Sequence, residues 1–374
     1  MELQFNNAAE KRVVKEISQL LVSKDHVKVN PKKKSRSNVI KYDLSEKSKY
    51  KILPHYNSEI RKEILKDVSI ADLHNSNESL NHIVSNLLKE VSEFKHVDLY
   101  ASEWHAFSAL SEYYKKEAPN KLIVVLGEQE FPVSPNYLYI EQLCDFNELL
   151  KTPQRIAAIL LDPFFFIQRS ANYYGRINTL RKQCSGSGID FILDERKTAA
   201  RIHLKGINFV FQFKADAILF GANFTNGIPL GAIASSRSTS GDSALPRAYA
   251  PSSLALMACK KITEKFIVLG NVYHTQQNIK ANRFTEKVNH YFPKKKQKAT
   301  LHNFGTILWL SDTARLSLPG RLRAQGIFSP NTSIMYLPSS LDAKEFSDLA
   351  HRISLAIKKP SRKKSGRFTN KTTT

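Results

Sequence analysis

Three short stretches of the chain hold side chains whose types and spacing could do chemistry. In FILDERKTAARI (191–202) an apolar run ends directly on Asp194. Ligands of α/β sheets gather at the carboxyl ends of strands, so Asp194 stands where a ligand site would lie. The plainer alternative is that Asp194 caps a helix or pairs with an arginine such as Arg201. In DLYASEWHAFSALSEYYKK (98–116) the turn Ser102-Glu103-Trp104-His105 opens a helix, with Trp104 able to stack on a ligand and His105 able to hydrogen-bond or move a proton. In KADAILFGANFTNGIPLGAIASSR (214–237), Asn226-Gly227 reads as a tight turn, a weak signal by itself. The stretch from Ala215 to Ser236 contains no lysine, hence no amine nucleophile. The three cysteines, Cys144, Cys184 and Cys259, are too far apart in sequence for a zinc site of the usual spacing or a disulfide framework, and read as free thiols.

The elements that must position these residues follow from the hydrophobic pattern. VDLYA (97–101), LIVVLG (122–127), RIAAILLDP (155–163), GIDFILDE (188–195) and ADAILFGA (215–222) are apolar runs without in–out alternation, separated by helical stretches. Strands of that kind are covered on both faces, which predicts a mostly parallel sheet in an α/β domain. Val13, Val14, Ile17, Leu20 and Leu21 share one face of a predicted amphipathic helix over residues 8–23. Towards the other end, HNFGTILWL (302–310) reads as one strand, LRAQGIFSP as a helix end turning into a strand, and KEFSDLAHRISLAIKK as a closing amphipathic helix. The expected division is a helix and basic linker over 1–52, a large domain over 53–320, a small α+β lobe over 321–358, and a basic tail over 359–374.

With 374 residues and 42% hydrophobic content the chain can bury a large core. No apolar run approaches the roughly 20 residues that cross a bilayer, and the first residues lack the pattern of a signal peptide, so the expectation is a cytoplasmic protein. The 56 lysines and arginines against 34 acids leave a net charge of +22. Much of the excess lies in 24–51, 293–298 and 358–374, where it reads as a solvated surface; a polyanion or nucleic-acid site remains the alternative, without a recognisable binding motif to support it.

The same three stretches resemble the class III pyridoxal-phosphate aminotransferases, of the glutamate-semialdehyde aminomutase kind, over roughly residues 40–357. FILDERKTAARI is similar to the family's strand, Asp-Glu-Val and Thr-Gly-Phe-Arg element, which puts Asp194 on the position of the carboxylate that pairs with the cofactor's pyridine nitrogen, with Thr198 and Arg201 also matching. The segment 214–237 resembles the Pro-Asp-Leu, Gly-Lys and Pro, Gly-Ala run, with Asp216, Gly221, Gly227, Pro229, Gly231 and Ala232 in register, and implies that the Schiff-base lysine position is Ala222. The turn at Ser102 resembles the family's phosphate-holding Ser-Gly-Thr-Glu-Ala; Ser102 and Ala106 match, whereas Glu103 replaces the glycine and Trp104 the threonine. The aromatic stacking segment has no counterpart in 126–135, and the partner subunit's phosphate-binding threonine falls near Ala248.

The resemblance implies a fold type I transferase: a seven-stranded, mostly parallel sheet, a small α+β lobe and a homodimer. It implies a degenerate cofactor site of Asp194, Ser102, Trp104, Glu103 and His105, in which Trp104 fills volume that the cofactor has left. The expected cofactor is none, with pyridoxal 5'-phosphate if the site still works. The expected role is a pseudoenzyme serving as a scaffold or regulatory partner, for instance of an active paralogue; the alternative is a divergent aminotransferase or aminomutase acting on a small amino or keto substrate.

Overall fold

The computed structural model describes residues 42–44, 77–127, 136–141, 148–237, 249–291, 300–310, 318–329 and 334–357. The predicted helix over 8–23, the basic arms apart from residues 42–44, Cys144, Ala248 and most of 126–135 lie outside them.

Residues 42–43 (β1) begin the described chain, followed by helix α1 (Asn77–Ser92) and strand β2 (His96–Tyr100). Next come α2 (Glu103–Glu117), β3 (Leu122–Leu126), β4 (Tyr137–Ile140) and β5 (Ile156–Leu161). Then follow α3 (Phe164–Ile167), α4 (Tyr173–Ser187), β6 (Asp190–Asp194), α5 (Gly206–Phe211), β7 (Ala217–Phe220) and β8 (Gly231–Ser235). Strands β2 to β8 form one sheet in the order β2-β8-β7-β6-β5-β3-β4. All five predicted runs are strands of this sheet, and the other two are β4 and β8. The neighbours β3, β4, β5, β6 and β7 pair in parallel; β8 runs antiparallel to both β7 and β2.

The absence of alternation in the strands has its explanation in two cores. Val124, Leu126, Ile159, Leu161, Phe191 and Leu193 face one side, against α1 and α4. Ile123, Val125, Ala158, Leu160 and Ile192 face the other, against Phe107 and Leu110 of α2. Because successive side chains of a strand point to opposite faces, both sets must be apolar when both faces are covered. Burying such a run stabilises each large side chain by about 1.5–3 kcal/mol.

A 38-residue helix, α6 (Ser253–His290), joins this body to a second core. Its first half packs Ala255, Leu256, Ile262 and Phe266 into the sheet core. Its second half gives Ala281, Phe284 and Val288 to a cluster that also holds Tyr42, Leu44, Leu308, Met335 and Ile353. Between the halves the path breaks at Gly270 (φ 57°, ψ −160°), a conformation that a side chain would oppose. The second core is built on β9 (Leu301–Phe304), β10 (Ile307–Leu310), α7 (Leu318–Ala324), β11 (Ile327–Phe328), β12 (Ile334–Tyr336) and α8 (Ala343–Ile357). Residues 302–310, expected as a single strand, form an antiparallel hairpin instead. Gly305 adopts φ 57° at its turn, which the apolar pattern of HNFGTILWL does not reveal. Among the described residues no helix is long and apolar enough to cross a membrane.

Candidate functional site

Sheet topology brings the three stretches to one edge. β6 and β7 are parallel and end at Asp194 and Phe220. β8 is antiparallel to β7, and β2 to β8, so β2 runs with β7 and delivers Ser102 and Glu103 to the same edge. Backbone contact is close there: a Cβ at Gly231 would stand 2.4 Å from the Ser102 carbonyl oxygen. Ser102 caps α2, its hydroxyl accepting from the His105 N–H at 3.4 Å and lying 2.9 Å from His105 Nδ1. The His105 ring lies 4.8 Å from that of Tyr249.

A buried ion network closes this edge. Arg196 donates from Nε and Nη2 to the two carboxylate oxygens of Asp194, at 2.9 and 2.6 Å, and from Nη1 to Glu103 Oε2 at 3.3 Å. The other Glu103 oxygen accepts the backbone N–H of Ala222 at 3.0 Å. The side chains of Arg196, Asp194 and Glu103 are 5%, 5% and 10% exposed, so the bidentate pair is a low-dielectric, charge-assisted interaction. Glu103 lies so near Gly221 that a Cβ there would meet Oε1 at 1.9 Å. Its place in the first turn of α2 also sets the carboxylate against the positive end of the helix.

Ala222 begins a buried 3-10 turn to Thr225, closed by Asn226 at φ 52° and Gly227 at φ 101°. Asn223 donates through Nδ2 to the carbonyls of Arg196 and Ala199, at 2.7 and 2.9 Å, and fixes this turn to the chain after β6. Glu195 is fully buried, with Thr198 Oγ1 donating to Oε2 and the Asn208 N–H donating to Oε1 at 2.7 Å. Burial pushes its carboxyl up to about 7 against those donors.

The alternative that Asp194 pairs with an arginine names the right chemistry, but the partner is Arg196 and not Arg201. Arg201 donates instead to Thr306 Oγ1 at 2.9 Å and lies 5.0 Å from the Tyr336 ring centre, where burial lowers it to about 10. Trp104 does not fill a vacated volume: it is 39% exposed, because position two of α2 points away from the sheet while Glu103 turns inwards. Asp216 lies at the opposite edge, accepting from the Phe191 N–H at 2.8 Å and from Arg181 at 3.2 Å.

Sequence reasoning did not single out Arg196 or Lys197. Lys197 is a buried amine held by Asp162 at 2.7 Å, and Asp162 is in turn anchored by the Phe164 N–H at 2.9 Å. Two consecutive cations directly after a strand-end Asp-Glu, in a segment otherwise buried, were the available signal. Among the described residues no group of His, Cys, Asp and Glu is arranged to hold a metal ion.

The architecture is that of the fold type I pyridoxal-phosphate-dependent transferases. By structure the chain is similar to a transaminase with pyridoxal phosphate bound, at a TM-score of 0.70 and 16% identity over 84% of this chain and 85% of that one. It is similar also to an omega-transaminase from Sphaerobacter thermophilus, at 0.68 and 14% over 84% and 86%. A β-phenylalanine aminotransferase from Variovorax paradoxus gives 0.67 and 14% over 83% and 81%. No family profile matches the sequence. No curated protein matches it either.

Proposed function

We propose that this chain is a non-catalytic protein of aminotransferase fold, closed at the cofactor edge by its own side chains and acting through binding another polypeptide. The observation that carries this reading is the Glu103–Arg196–Asp194 network lying against the backbone of Ala222. The residues at this edge do not suit pyridoxal phosphate. The carboxylate expected to face the pyridine nitrogen has both oxygens engaged by a guanidinium of its own chain. Glu103 puts a second carboxylate where a phosphate would have to approach the α2 N-terminus, and like charges repel there. Ala222 offers a methyl group where imine chemistry needs an amine. Lys197, the buried amine nearest in sequence to Asp194, is engaged by Asp162 and so is no ready substitute. A retained fold with a closed edge is suited to a scaffold or regulatory partner, and the homodimer and polypeptide partner expected from the resemblance are part of the same proposal.

The test is the visible absorption spectrum after adding pyridoxal phosphate to the purified chain, to Ala222→Lys, and to the triple variant Ala222→Lys, Glu103→Gly, Arg196→Val. The expected result is no bound-cofactor band in the first two and a Schiff-base band in the third alone. A band in the unaltered chain, or transamination of an amino donor by it, overturns the proposal.

A further inference from the structure

While the carboxyl edge of the sheet is filled, the amino edge carries a cavity of about 360 Å³, within the size range of small-molecule sites. The topology explains its lining. Lys121, Asp190 and Asp216 immediately precede or begin β3, β6 and β7, and Arg237 follows β8, which runs antiparallel and so ends beside the start of β7. The other contributions come from the second halves of two 15-residue helices: Tyr113, Tyr114 and Glu117 of α2, and Arg181 and Ser185 of α4. Helix carboxyl ends carry partial negative charge and favour cations within about one turn.

Three carboxylates and three cations line this cavity, but they do not simply neutralise one another. Arg181 is committed, donating to Asp216 at 3.2 Å and to the Lys214 carbonyl at 2.7 Å. Tyr114 donates to one oxygen of Asp190 at 2.8 Å. Among the described residues no ion pair joins Glu117, Asp190, Lys121 and Arg237 to one another, although all four line the same space. Tyr113 lies between the two signs: burial raises the pKa of its phenol, Glu117 and Asp190 raise it further, and Arg237 opposes them. A lone anion would meet two carboxylates here, and a lone cation two basic groups. A molecule bearing both charges satisfies both pairs, and complementary placement of charge of this kind gives specificity.

We propose that this cleft is a binding site for a small zwitterion, its ammonium group held by Asp190 and Glu117 and its carboxylate by Arg237 and Lys121. The site is independent of the carboxyl edge, and its existence does not depend on whether that edge binds a cofactor. Isothermal titration of the full chain with the ω-amino acids from glycine to 6-aminohexanoate, and with butylamine, butanoate and inorganic phosphate as single-charge probes, tests it. At least one zwitterion is expected to bind at least about tenfold more tightly than every single-charge probe. Asp190→Asn and Arg237→Gln are each expected to weaken it by about tenfold or more. Both side chains are at least partly exposed, and the amide oxygen introduced by Asp190→Asn still accepts from the Tyr114 hydroxyl; Lys121→Gln, at an exposed position, provides a further variant if either misfolds. Absence of binding below about 10 mM, equal binding of a single-charge probe, or affinity unchanged in all three variants overturns the proposal.

Discussion

Replacing Arg196 by methionine should unmask the cost of the carboxylates it bridges. The substitution keeps an apolar stem of similar length but removes the guanidinium from Asp194 and Glu103, whose side chains are only 5% and 10% exposed. Deleting one partner of a buried pair leaves an uncompensated charge, which costs about 3–5 kcal/mol. Here a single cation faces two carboxylates, and the network spans residues 93 apart, so the upper part of that range is expected. The Lys115–Glu112 pair is the internal control: its side chains are 49% and 59% exposed, and Lys115→Met should cost less than about 1 kcal/mol. Urea unfolding of both variants at pH 7.5 gives the comparison. Combining Arg196→Met with Glu103→Gln and Asp194→Asn should recover most of the loss, because no charge of this network then remains. A loss at pH 7.5 no greater than that of Lys115→Met would refute the argument that this network is buried and closed.

Two other perturbations probe the same edge. Gly221→Ala should destabilise the chain by about 1–3 kcal/mol, because its Cβ would lie 1.9 Å from Glu103 Oε1 and 3.1 Å from Arg196 Cγ, and the double variant with Glu103→Ala should regain much of that in thermal unfolding. Glu195 should make stability fall as pH rises. Its folded carboxyl sits at about 7 against an ordinary 4.5, so its contribution is fully present below about 4.5 and lost as pH rises to about 7, a difference of about 3 kcal/mol. Glu195→Gln keeps an acceptor for the Asn208 N–H and should flatten the stability difference across that window; an unchanged slope between pH 4.5 and 7 would reject the assignment.

Particular residues show how far the sequence was legible. Strands covered on both faces announce themselves by composition, and Val124 and Val125 facing opposite cores is what such a run requires. The hairpin at Gly305 was hidden because one glycine inside an apolar stretch is compatible with either a strand or a turn, and only pairing decides. At the candidate site, the side chains at strand ends could be named from their positions, and the substitution of Glu103 for a small residue was visible. What it pairs with was not, since Arg196 is 93 residues away and reaches Glu103 only once β2, β8, β7 and β6 have been ordered in the sheet.

The proposed closure of this edge involves more than the methyl group of Ala222. If Ala222 alone departed from the pattern of the resembled family, the remaining side chains would still present a carboxylate awaiting a cation. Instead Arg196 bridges Asp194 and Glu103, so that one guanidinium offsets two carboxylates in a dry setting where either would otherwise be costly. Introducing a lysine at position 222 alone would place a further cation beside an arrangement whose hydrogen bonds are already made. Restoring space therefore has to precede restoring the amine, which is why the triple variant and not the single one is expected to form the Schiff-base band.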